Sequence, residues 1–278
     1  MYLSLTTWLF EHLDVPDMVR HVRRCGYENI EVSGSRAYAE WDMGEVARAC
    51  ADAGITVRSV HCAHHSVKGL EDDDAAYAEF HEEFYDRIAC FEDVVVIEHI
   101  PFDPAVASRT LERLLHLADK CAELGFTVST ENMARGGEAQ WDILRRALSG
   151  PVYLTLDAKH AAAADIDPLE YFEFEDSIVN IHALDHYANA PLGDWIPVGA
   201  GTIDWPAILA RLAEIGYDGP LTVELNEAAL RDLLGVVSRT SALADRTDAC
   251  SSLLEDARLE EMFAIASRRR LEELLAGL

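Results

Sequence analysis

Eight short apolar runs alternate along the chain with longer stretches whose apolar residues recur at helical spacing. The runs cover residues 3–5, 30–32, 57–60, 94–97, 127–129, 152–156, 178–181 and 221–223. Their shortness and β-branched content predict strands. Between them, apolar positions three and four apart predict helices near 16–24, 42–53, 73–91, 103–124, 138–148, 168–174 and 204–215. Four of these helices run into Gly26, Gly54, Gly125 and Gly216, and each glycine leads to the next strand. Glycine enters the left-handed conformation that closes a helix at little cost. A repeated strand–helix–glycine unit predicts a parallel α/β sheet, and eight strands favour closure into a (β/α)8 TIM barrel over an open sheet. No GxGxxG follows the first strand, which argues against a dinucleotide-binding fold.

Beyond Glu224 the pattern stays helical, over 227–237 and 251–275. One segment supplies the eighth barrel helix. The remainder is expected to cover the barrel bottom or to pair with a second copy as a homodimer. The run Arg268-Arg269-Arg270 reads as a solvated helix face near a C-terminus, where cations are favoured. No linker rich in Pro, Gly or Ser interrupts the chain. The expected organisation is one domain over 1–278, with the barrel to about 240 and a C-terminal helical extension over about 241–278.

Composition narrows the function classes. The 278 residues suffice for one large core, and half of them are hydrophobic. The N-terminus has neither a basic segment nor a long apolar one, so it reads as a first strand and not as a signal peptide. No apolar run approaches membrane-spanning length. The six cysteines form no CxxC pair, and a reducing cytoplasm is the expected compartment. A net charge of −27 disfavours a nucleic-acid face, which needs clustered Lys and Arg.

Four apolar runs end on metal-type ligands. TVSTE closes on Glu131, VYLTLD on Asp157, IVNIH on His182 and PLTVE on Glu224. Each alone has a structural explanation, as a helix-cap neighbour or a turn former. Together at one barrel mouth they would repel each other and lose solvation, and a divalent cation answers both problems. Three acids and one imidazole suit Mn, Mg, Zn or Co. Further candidates stand at other strand ends: His61, His64 and His65 after the third, Glu98 and His99 after the fourth, His160 after Asp157, and Asp185 and His186 after His182. Arg36 is a candidate contact for a sugar phosphate or a partner for a surface acid. Trp8, Phe10, Phe102 and Trp195 either form a sugar-stacking wall or cap the core.

This combination resembles the xylose isomerase-like TIM barrels, which include sugar and sugar-phosphate isomerases and epimerases and the zinc-dependent apurinic endonucleases. The residues that carry the resemblance are Glu131-Asn132, Asp157 with His160, His182 with Asp185, the GxGxIDW segment at 199–205, and Glu224. The resemblance spans about residues 1–227. It implies that Glu131, Asp157, His182 and Glu224 hold one divalent cation, that Glu131 and Glu224 shuttle protons, and that His160 contacts substrate oxygens. In the endonuclease branch the positions of His61 and His99, with Glu131, bind a second zinc, and a third uses a D-x-H beginning at Asp194. Here Ile196 replaces that histidine, so the three-metal site is broken. The expectation is a metal-dependent isomerase or epimerase of a small sugar, sugar phosphate or polyol ketone, placed in carbohydrate metabolism. The alternatives are an apurinic endonuclease-like phosphodiesterase, an inosose dehydratase-like lyase, and a non-catalytic metal- or sugar-binding protein.

Overall fold

The computed structural model describes residues 1–62, 73–100, 104–132, 137–187, 195–226 and 258–278. The eight predicted strands form in sequence order: β1 (Tyr2–Thr6), β2 (Asn29–Val32), β3 (Thr56–His61), β4 (Val95–Glu98), β5 (Thr127–Glu131), β6 (Val152–Asp157), β7 (Ile178–Ala183) and β8 (Pro220–Val223). All neighbours are parallel. β8 returns to β1 through Leu3 opposite Leu221 and Leu5 opposite Val223, which closes the barrel.

The helices are α1 (Val15–Arg24), α2 (Ser35–Glu40), α3 (Met43–Asp52), α4 (Asp74–Ile88), α5 (Pro104–Glu123), α6 (Gly137–Leu148), α7 (Ala158–Ala163), α8 (Trp205–Glu214) and α9 (Arg258–Leu275). Pro168–Ser177 forms a 3-10 segment where a helix is predicted. The short helices α2 and α7 have too few turns to show a periodic stripe. Aspartates start several helices by accepting from free N–H groups. Asp14 takes that of Asp17 at 2.9 Å, Asp42 that of Gly44 at 2.7 Å, and Asp204 that of Ala207 at 3.1 Å. The four predicted stop glycines have φ between +66° and +84°, the left-handed region.

The C-terminal extension is present as α9, and it lies in the barrel wall. It packs against α8, α1 and β8, in the place of the eighth barrel helix. Its own Leu259, Ala264 and Leu271 are buried. His21 on α1 faces Glu261 at 2.7 Å, and Tyr27 donates to the Ala264 carbonyl at 3.0 Å. Arg269 and Arg270 are exposed, as a solvated face requires. The predicted helix over 227–237 lies outside the described residues.

Side chains alternate across each strand, so every second residue enters the barrel. Two positions below four of the ligand-type residues, the inward side chains are Ser129, Thr155, Asn180 and Thr222, all fully buried. They pair across the interior: Ser129 with Thr155 at 2.7 Å, and Thr222 to Asn180 at 2.8 Å. The usual branched apolar layer is here a hydrogen-bonded polar floor.

Candidate metal centre

The four strand-end residues converge at the barrel mouth. Asp157 and His182 lie opposite each other in the β6–β7 register. Glu131, Asp157, His182 and Glu224 each offer a donor atom within 4.8 Å of the others, and all are buried. His182 Nδ1 is 2.6 Å from Glu131 Oε1, 3.4 Å from Glu224 Oε2 and 3.9 Å from Asp157 Oδ2.

Asp157 is locked from behind. Its N–H donates to Asn132 Oδ1 at 2.6 Å, and Asn132 Nδ2 donates to its carbonyl at 2.9 Å. Its Oδ1 accepts the His160 N–H at 2.5 Å and caps α7. Its Oδ2 is left facing the cluster, buried and without a hydrogen bond, and so is Glu224 Oε2. Buried carboxylate oxygens without donors are costly. They fit a site built to bind a cation.

A fifth acid, Glu31, lies deeper. It is in the middle of β2, fully buried, away from the strand ends at which the sequence displays its other donors. The available signal was a carboxylate between Ile30 and Val32 in a run that should be wholly apolar. Ser59 Oγ donates to it at 2.7 Å and Asn180 Nδ2 at 3.2 Å. His182 Nε2 lies 3.3 Å away and His61 Nδ1 3.4 Å. Glu31 would keep a proton on His182 Nε2 and leave Nδ1, which faces the three upper carboxylates, to ligate a cation, as in an imidazole backed by a carboxylate.

A second group adjoins the first. His61 Nε2 is 3.0 Å from His99 Nε2, which is 2.7 Å from Glu131 Oε2. His160 Nε2 is 3.9 Å from Asp157 Oδ2. Trp8 and Trp195 meet edge to face at 5.1 Å, and Lys159, beside His160, sits 4.0 Å over the Trp195 ring. Phe10 instead belongs to the core and stacks on His21. Asp194, His64, His65, Phe102 and the Arg36 side chain lie outside the described residues. The Ile196 carbonyl accepts from the Asp185 N–H at 2.8 Å. Asp185 itself organises a loop, taking the N–H of Gly199 at 2.8 Å and of Ile203 at 3.1 Å.

Charge is distributed unevenly over these groups. Burial resists ionisation of Glu131, but the His182 charge and hydrogen bonds from His182 and His99 outweigh it and hold the carboxyl well below its ordinary range. Glu31 is lowered in the same way by His182 and His61. Burial pushes Glu224 up to about 8; His182 opposes this and the Glu131 charge adds to it. Burial would discharge His182, yet Glu224, Glu31 and Glu131 together raise it well above 6.5.

An eight-stranded parallel barrel with donor side chains at the C-terminal ends of its strands defines a TIM barrel with a mouth-centred site. Residues 19–240 match the family described as Xylose isomerase-like TIM barrel, and the chain belongs to that family. A curated relative, the uncharacterized protein MJ1311 of Methanocaldococcus jannaschii, is 29% identical over 126 residues, which is 41% of each chain. The match thus spans about two fifths of that relative. Among solved structures, an L-ribulose 3-epimerase superposes with a TM-score of 0.68 at 18% identity, covering 99% of this chain and 95% of that one. A probable 3-DHS dehydratase of Bacillus anthracis gives 0.64 at 15%, covering 87% and 100%. An AP endonuclease of family 2 from Brucella melitensis gives 0.63 at 17%, covering 81% and 93%. At these identities the likenesses show the fold.

Proposed function

We propose that the chain is a divalent-metal-dependent isomerase or epimerase acting on a small sugar, sugar phosphate or polyol ketone. The observation that carries this reading is the buried set of Glu131, Asp157, His182 and Glu224, with two carboxylate oxygens that accept no hydrogen bond. These four residues would hold the cation, with Glu31 fixing the His182 ring from below. When bound, the cation supplies Lewis-acid stabilisation to vicinal substrate oxygens that gain negative charge as a proton leaves carbon.

Glu131 and Glu224 are the proton carriers in this reading. They come from β5 and β8 and approach the mouth from different sides. In the metal-free protein their environments differ: contacts from His182 and His99 hold the Glu131 carboxyl well below its ordinary range, and burial pushes Glu224 up to about 8. One carboxylate removes a proton at carbon and the other returns one, which isomerises or epimerises an α-hydroxy ketone. His160 contacts substrate oxygens, and Trp8 with Trp195 walls the sugar. The epimerase among the structural neighbours supports the substrate class.

A second reading rests on a specific cluster. His61, His99 and Glu131 place three donors within 4.8 Å, a potential second metal position. It would favour phosphodiester cleavage, but Ile196 interrupts the third position of such a site. A dehydratase would use the same proton abstraction followed by loss of a hydroxyl.

Metal content and solvent exchange test the proposal together. One Mn, Mg or Co per chain at the mouth, with deuterium from heavy water appearing at the carbon beside a ketose carbonyl, is the expected result. Three zinc ions with cleavage of an abasic duplex would replace it by the nuclease reading. Release of water from a cyclic polyol ketone would replace it by the lyase.

A further inference from the structure

β3 and β4 carry another cluster on their outer face. Because side chains alternate along a strand, His61 and His99 enter the barrel while Cys62 and Glu98 turn outward, toward α4. His81 on α4 meets them there. Cys62 and Glu98 are 4% exposed and His81 is 0% exposed. Their ligand atoms lie within 4.8 Å of one another. This group takes no part in the barrel-mouth chemistry.

His81 is set as a ligating imidazole is. Its Nδ1 lies 2.9 Å from the Tyr77 carbonyl one turn earlier, so Nδ1 carries a proton. A ring nitrogen tied to a backbone carbonyl fixes the tautomer and aims the other nitrogen. That other nitrogen, Nε2, is fully buried, makes no hydrogen bond, and points at Glu98 Oε1 from 3.4 Å. With bonds of roughly 2.0–2.1 Å to nitrogen and oxygen, two ligands of one tetrahedral zinc stand about 3.4 Å apart. The observed separation is therefore already that of two ligands sharing a cation. Cys62 adds sulfur, from a strand adjacent to the one that holds Glu98.

We propose that Cys62, His81 and Glu98 form a second divalent-metal site that ties α4 to β3 and β4. One thiolate, one imidazole and one carboxylate select a zinc-type cation over magnesium or manganese. Burial of all three groups suits a structural role. Without metal, His81 Nε2 and Glu98 Oε1 face each other at 3.4 Å, which keeps the donors together. Binding releases the Cys62 thiol proton, and any proton on His81 Nε2, to solvent. Among the described residues, no other cysteine belongs to a group of metal donors.

Cobalt(II) separates this site from the barrel mouth, because only a thiolate ligand produces a near-ultraviolet sulfur-to-cobalt charge-transfer band. The full-length protein is stripped with a chelator and titrated with cobalt(II). The band is expected to grow to one equivalent in the wild type, to vanish in Cys62→Ser, and to persist in Asp157→Asn, where the mouth site is damaged and no sulfur is involved. Absence of the band in the wild type overturns the proposal without recourse to any variant, and so does a band that survives Cys62→Ser. Glu98→Gln, which conserves shape, should weaken the sulfur-bound cobalt by roughly tenfold or more. Unchanged affinity there removes Glu98 from the ligand set and overturns the three-residue site.

Discussion

His182 stands between two carboxylate layers, with Nε2 3.3 Å from Glu31 below and Nδ1 2.6 Å from Glu131 above. The lower contact orients the ring, and the upper one turns it toward the donors of the mouth. Glu31 touches His61 as well, so one buried acid sets both rings.

Glu31→Gln tests that relationship. The amide can donate to the ring nitrogens as well as accept from them, so the imposed tautomer is lost. Affinity for the mouth cation should fall roughly 10- to 100-fold, measured by competition with a chromogenic chelator. Wild-type affinity in a folded Glu31→Gln protein would show that the ring is oriented by its other neighbours.

Glu131→Gln and Glu224→Gln address the two proposed proton carriers. Each should reduce exchange of the substrate carbon proton with heavy water by roughly 10²- to 10⁴-fold. Exchange persisting in the double variant removes both residues from that role.

The metal-free protein should lose stability on the alkaline side. Glu224 binds its proton more tightly folded than unfolded, about 8 against 4.5, and His182 is raised well above 6.5. Stability from such groups is complete below the unfolded values and fades as pH rises through the folded ones. Glu224 therefore contributes a decline between pH 4.5 and about 8, and His182 a decline beginning above 6.5. Glu31 and Glu131 run the other way, since their lowered values give stability that is present above 4.5 and lost on acidification. Thermal unfolding of chelator-treated protein across this range should show the alkaline fall, and Glu224→Gln should flatten its part. No alkaline fall in the wild type contradicts the charge distribution.

Asn132→Ala removes two buried hydrogen bonds to the Asp157 backbone. A loss of roughly 1–3 kcal/mol per stranded group is expected, read from urea unfolding, together with weaker metal binding. Lost stability with intact metal binding would mean that Asp157 is held by β6 alone.

Leu271→Ala probes α9. A buried leucine in a wall helix should cost roughly 2–5 kcal/mol on truncation and shift the whole unfolding transition. A peripheral extension would instead leave the main transition where it is.

Much of this molecule is legible in one dimension. Strand ends such as VYLTLD declare both the element and its donor side chain, because strand period and C-terminal position are local properties. The polar floor was also written there, with Ser129, Thr155, Asn180 and Thr222 each two positions before a ligand. Glu31 was harder to read. Its importance comes from contacts with Asn180 and His182, about 150 residues away, and no local pattern encodes those.

The sequence alone determined the eight strand–helix units, their glycine stops, and four donors at strand ends, since these follow from periodicity and backbone preference. Only the tertiary structure decided which donors share a cavity, and that α9 sits in the wall between α8 and α1. It also decided the charge each acid bears. Glu131 and Glu224 are the same residue type at equivalent strand ends. Contacts from His182 and His99 keep one ionised, and burial beside an existing anion keeps the other protonated.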